Sequence, residues 1–128
     1  MHKSRLGAIV IDCQTEDIDG AARFWAAALG RAVKPESDPQ DPYRALEGQA
    51  DKLHVLLQAV DHPSRVHLDI ETDDVEAEAS RLAALSARRI AKVKTWWVMQ
   101  APTGQRFCVV RPQRPDFEDK AKVWPAAD

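Results

Sequence analysis

The feature that most constrains this chain is that one order of elements occurs in it twice. "LGAIVIDC" (6–13) is a short run rich in β-formers, and "IDGAARFWAAALG" (18–30) follows it with Ile18, Ala22, Trp25 and Leu29 at helical spacing. Gly30 supplies a helix stop. The chain then offers "RAVKP", the Pro/Asp-rich loop "PESDPQDP", and the strand-length segments "YRALEG" and "KLHVLLQAV". The second pass opens on "RVHLDIET" and continues into "DDVEAEASRLAALSA", in which Val75, Ala79, Leu82 and Leu85 share one face. It ends with "RRIAKVK", "TWWVMQ" and "RFCVVR", the last after the turn "APTG". Each pass reads strand, helix, three strands.

One such unit has a half-buried sheet and a single helix to cover it, so two must combine to bury a core. The expected fold is therefore α+β: two βαβββ modules forming a cupped, mixed sheet of about eight strands with both helices on its convex face. Module one spans about 5–60, module two about 65–111, and a tail 112–128 completes a single domain. Strand alternation assigns the faces. In "VHLDIET", Val66, Leu68 and Ile70 should face the helix, and His67, Asp69 and Glu71 the concavity. Ala8, Val10 and Asp12 look the same way from the first strand. Leu53, Val55 and Leu57 belong under a helix, leaving His54, Leu56 and Gln58 toward the cup.

Composition narrows the function classes. Eighteen basic residues stand against twenty acidic ones for a net charge of -2, and they are scattered, so no basic footprint of a nucleic-acid binder forms. The opening "MHKSRLGAIVIDC" has an apolar run too short for a signal segment or a membrane span, which points to a cytoplasmic protein without membrane attachment. Cys13 and Cys108 lie in separate apolar runs without CxxC spacing, as expected of free thiols.

The segments "IVIDCQTEDIDGAARFWAAALGRAV", "RVHLDIETDDVEAEASRLAAL" and "WWVMQAPTGQRFCVV" resemble the paired modules of the vicinal oxygen chelate superfamily, specifically its glyoxalase-like domains; bleomycin resistance proteins and dioxygenases share that fold. The resemblance covers about residues 5–111. It implies a metal site built from the first and last strands of the modules, and the matching positions here are Ala8, Gln58, His67 and Cys108. Alanine coordinates nothing, an amide oxygen is a weak ligand, and no carboxylate stands in the set. The expectation is thus no metal and no cofactor. A reduced set of His67 with Gln58, Asp69 or Cys108 is the alternative, serving a metal-dependent lyase, isomerase or dioxygenase.

No Gly-x-Ser-x-Gly elbow or phosphate loop is present, so no reaction is assigned. The expected function is the binding of a small, largely apolar organic molecule by His54, Gln58, His67, Asp69, Trp97 and Cys108. Trp96 and Trp97 are neighbours on one strand and must point to opposite faces, and Trp97 is assigned to the ligand. His2 and His62 read as surface residues. Phe117 and Trp124 in the tail should fold back as a lid or meet a second subunit, and the resemblance implies a homodimer. A non-catalytic interaction domain filled by its own tail is the remaining alternative.

Overall fold

The computed structural model describes residues 1–36, 38–48 and 53–126. Ser37 of the expected loop, Lys52 at the start of an expected strand and the last two residues of the tail lie outside the described residues. The fold is α+β, with strands of mixed pairing and, among the described residues, three helices: β1 (His2–Gln14), α1 (Ile18–Leu29), β2 (Tyr43–Ala45), β3 (His54–Val60), β4 (Arg65–Thr72), α2 (Val75–Ala84), β5 (Arg88–Val93), β6 (Trp96–Gln100), β7 (Arg106–Val110), α3 (Phe117–Lys120) and β8 (Lys122–Trp124). The chain divides into two compact units. The first is Ala8–Val66; the second joins Met1–Gly7 to His67–Asp128.

In the first unit, β3 runs parallel to β1, Ala8 beside His54 and Asp12 beside Gln58, and antiparallel to β2 on its other edge. Helix α1 starts where the Asp17 carboxylate accepts the Gly20 N–H, satisfying a backbone donor that the first turn cannot. It stops at Gly30, whose φ of 67° is the left-handed conformation that costs a side-chain-bearing residue most. Ile18, Ala21 and Trp25 of α1 pack on Ile11, Cys13, Leu46, Val55 and Leu57. Leu57 is fully buried, and burial of that kind stabilises by roughly 1.5–3 kcal/mol. Leu29, expected on the same stripe, is largely exposed at the last turn. "RAVKP" is not a strand: Val33 makes one isolated bridge to Leu46, and Pro35 has no N–H with which to continue a ladder. Arg44, buried, cross-braces this region by donating to Asp19 and to the carbonyls of Pro39, Asp41 and Tyr43.

In the second unit the strands lie in the order β4-β7-β6-β5, with β7 parallel to β4 and antiparallel to β6. Asp74 caps α2 by accepting the Ala77 N–H. The helix packs along β5, β6 and β7, and its Ala79, Val75 and Leu82 meet Met99, Val109, Trp97 and Phe107. Leu85, expected on that face, falls past the last turn and is exposed. Leu68 and Ile70 pair with Phe107 and Val109 and so share the α2 side of the sheet, yet Leu68 remains 45% exposed because the helix is centred over the other three strands.

Two parts of this unit differ from the sequence expectation. The first strand begins at His2, well before "LGAIVIDC", and its start pairs antiparallel with β8, a strand formed by the tail. His2 is not a surface residue: it is buried, with Nε2 2.8 Å from Oε1 of the fully buried Glu78. Burial opposes charge on Glu78, but donors from Arg81, His2 and Ser4 outweigh it and hold the carboxyl below its ordinary value of 4.5. A depressed native value means that the folded state binds this proton less readily than the unfolded chain does. The stability it contributes is therefore present above about pH 4.5 and is lost as pH falls through the native value. Urea midpoints measured downward from pH 6 should fall steadily for the wild type and less steeply for Glu78→Gln; parallel curves would remove Glu78 from the acid transition.

Candidate functional site

Register and packing fix which side chains share a face in the second unit. Phe107 and Val109 on β7, with Trp97 and Met99 on β6, are packed with α2. The alternate residues, Arg106, Cys108 and Val110 on β7 and Val98 and Gln100 on β6, therefore stand on the opposite face. Cys108 is paired with Asp69 on one edge and with Val98 on the other, so Asp69 shares that face, and His67 and Glu71 follow by alternation.

Three of these residues converge. His67 Nε2 lies 3.4 Å from Asp69 Oδ1, with both side chains largely shielded at 12% and 14% exposure. The Cys108 sulfur joins them, so that one nitrogen, one carboxylate oxygen and one thiol sulfur lie within 4.8 Å of one another. The imidazole nitrogen and the carboxylate oxygen face one another across 3.4 Å, with the thiol sulfur in the same group. The trio can hold a proton, orient a polar ligand or offer nitrogen, oxygen and sulfur donors to a borderline metal such as zinc.

The metal of the wider superfamily is a different matter. Of the four matching positions, Ala8 is buried and has no donor atom, and Gln58 has only a neutral amide. The set does not fit an oxygen-preferring divalent ion. His54 and Gln58 belong to the first unit, on the face of β3 that also carries Leu56, alongside Ala8, Val10 and Asp12 of β1. That face holds a shielded carboxylate: Asp12 is 2% exposed and lies 3.7 Å from Arg65 Nε.

Trp97, expected against the ligand, is on the α2 side instead. Its ring packs with Met99 and Val109, and its Nε1 donates to Glu76 at 3.0 Å. The Arg89 and Lys92 cations each approach its ring to 5.4 Å. By alternation Trp96 takes the Cys108 side. The signal was available in the strand itself, because Trp97 has the parity of the apolar Met99 and Trp96 that of the polar Gln100. The tail also differs from a lid. Phe117 is 3% exposed, Trp124 Nε1 donates to Ser4 Oγ, and the Arg81 guanidinium covers the Trp124 ring at 3.7 Å, so both aromatics are used within their own unit.

The sequence places Glu71 on the same face as His67 and Asp69 but does not show the arginines around it. Glu71 is fully buried and accepts from Arg5 Nε at 2.8 Å and from the Gln113 N–H, with Arg114 Nε at 3.7 Å. The other arm of Arg5 donates to Asp116. Gly7 makes room for it: a Cβ there would stand 2.7 Å from Glu71 Oε2. A groove of about 580 Å³ elsewhere in this unit is lined by Thr72, Val75, Lys92, Lys94 and Arg111 and by none of the trio. Its charges are partly spent on one another, Glu76 accepting from Lys92, and Asp74 already caps the helix end there.

The family model described as a glyoxalase-like domain matches residues 8–110, most of the chain. The chain belongs to the glyoxalase-like domain family. Solved structures agree in fold with this glyoxalase-like protein. Methylmalonyl-CoA epimerase from Mycobacterium tuberculosis superposes with a TM-score of 0.61 at 15% identity, over 84% of this chain and 87% of that one. A hypothetical protein from Bacillus halodurans C-125 gives 0.64 at 13% identity, over 87% and 96%. A glyoxalase/bleomycin resistance protein/dioxygenase superfamily member from Vibrio splendidus 12B01 gives 0.56 at 25% identity, over 83% and 98%. No curated protein matches the chain. Among the described residues, no helix is long and apolar enough to cross a membrane.

Proposed function

We propose that this glyoxalase-like protein binds a small organic molecule on the sheet face that carries His67, Asp69 and Cys108. The observation that supports the reading is their convergence: three groups of different chemistry, mostly shielded, on the face that α2 does not cover. Such a set gives orientation through hydrogen bonds, while neighbours such as Val98 and Trp96 supply apolar contact. His54 and Gln58 are the first unit's polar candidates for the same role. Homodimer formation, implied by the superfamily resemblance, is kept in this reading, but the tail gives it no support now that Phe117 and Trp124 are occupied.

A screen of small aromatic and carbonyl compounds by thermal shift tests the proposal, because a ligand selective for the folded state must raise its apparent stability. His67→Ala should abolish the shift produced by any compound found while changing the stability of the unliganded protein by less than about 1 kcal/mol. An unchanged ligand shift in His67→Ala would refute the reading. A metal-assisted enzyme is the second reading, and the mutual approach of nitrogen, oxygen and sulfur donors favours it. Stoichiometric metal that survives dialysis of the wild type and is lost from His67→Ala would establish it in place of the first.

A further inference from the structure

We infer that the proposed binding face takes a small carboxylic acid with an apolar body, and that Arg88 and Arg106 receive its carboxylate. The inference rests on that face being the binding face and names the class of its ligand. Register brings the two arginines together. Arg88 pairs with Gln100, and Gln100 pairs with Arg106, so the three form one row across β5, β6 and β7. Paired residues point to the same side of a sheet, and Arg106 has the parity of Cys108. The row is therefore on the face that α2 does not cover. The bulge between Arg89 and Ala91 agrees with this assignment: Arg89 and Lys92 turn to the helix side, where they donate to Ser80 and Glu76 of α2, and Arg88 turns away.

Neither cation has an acid of its own. Arg5, Arg44 and Arg81 each bond to a carboxylate. Among the described residues, no carboxylate pairs with the guanidinium of Arg88 or of Arg106. With one strand between them, their Cα atoms are about 10 Å apart, and long side chains from the two sides can meet over Gln100. Like charges so placed repel, and an oxyanion between them removes the repulsion while accepting from both planar forks.

The neighbouring rows define the rest of the ligand. The next one, about 7 Å away at strand spacing, holds Ala91, Val98 and Cys108. The row beyond it holds Val93 and Trp96. An acid whose carboxylate meets the arginines therefore lays its body on alanine and valine and points its far end at the indole. The acids of the face limit the ligand's charge. Glu71 is matched by Arg5 and Arg114, but Asp69 stands in the row of Cys108, its Oδ1 3.4 Å from His67 Nε2. A phosphate dianion would set a second negative charge one row from that carboxylate, whereas a carboxylic acid brings a single one.

The experiment measures, by calorimetric titration of the intact protein, the affinity for benzoate, phenylacetate and 3-phenylpropionate and for the amide of each, which keeps the body and drops the charge. At least one acid should bind about tenfold more tightly than its amide, and added salt should weaken the acid alone. Arg88→Gln and Arg106→Gln should each weaken that acid about tenfold and leave the amide unchanged. Their thermal unfolding should match the wild type, because neither arginine has a carboxylate to lose.

The inference would be overturned if no acid bound more tightly than its amide, or if acid binding survived Arg88→Gln and Arg106→Gln combined. Phenyl phosphate, close to a dianion at neutral pH, binding more tightly than every acid would overturn it too. A neutral compound lost in His67→Ala but kept in both arginine variants, with no acid preferred, would end this inference and leave the binding reading standing. Acid binding lost in the arginine variants and kept in His67→Ala would support the arginine subsite and remove the trio from that reading.

Discussion

Glu71→Ala is expected to destabilise the protein by about 3–5 kcal/mol, the range for breaking a shielded ion pair from one side. Glu71 is fully buried and meets Arg5, Arg114 and the Gln113 N–H. Arg5 and Arg114 are themselves only 13% and 9% exposed. Removing the carboxylate leaves two guanidinium groups in place without the anion that offset their loss of water. For a chain of this size such a change corresponds to a fall in Tm of roughly 10–20 °C. Arg5 retains Asp116, which holds the effect within the range and keeps it from growing further. Thermal unfolding followed by circular dichroism decides the matter. A fall of less than about 1 kcal/mol would mean that the cluster is as well hydrated as a surface pair.

Leu57→Ala should cost about 3–4 kcal/mol, within the range for truncating a leucine in a packed core. Leu57 is 0% exposed and stands between Cys13, Leu46 and the α1 residues Ile18 and Trp25. Those neighbours sit on a helix and on strands, which move little to fill a cavity. The urea midpoint should drop with an unchanged slope, and amide exchange along β3 should quicken. Leu57→Met, close in volume, should cost less than about 1.5 kcal/mol. If the two variants lose stability equally, cavity formation is not the cause.

What the sequence disclosed follows from how local each signal is. Ile18, Ala22 and Trp25 recur at helical spacing, and α1 ends at Gly30 as read. Alternation along "KLHVLLQAV" separates the core-facing Val55 and Leu57 from their polar neighbours. Along "RVHLDIET" the outcome differs: Val66 and Leu68, expected under the helix, are exposed, and His67, Asp69 and Glu71 are the shielded residues. The errors involve partners distant in sequence. His2 was read as terminal and exposed because Glu78, its partner, is 76 positions away. The three-residue β8 carries too few residues for periodicity, and its existence depends on β1 starting at His2. Trp97 was misassigned because adjacency fixes only that two tryptophans diverge, not which one enters the core; contact with α2 decides that. In the candidate site, His67 and Asp69 share a strand and were legible as a pair. That Cys108 joins them depends on the parallel register of β4 and β7, which no local pattern encodes.

The pairing of β1 with β8 also sets an order on synthesis, because the segment that covers this edge is made long after the one it covers. Lys3 lies opposite Val123, and Trp124 bonds to Ser4, 120 positions earlier. Residues 8–66 form a continuous stretch that leaves the ribosome with its own strands and helix. The other unit joins residues 1–7 to a stretch that starts only at His67. The start of β1 therefore stays without this partner until residues 122–124 have been made, with its pairing edge available to other chains.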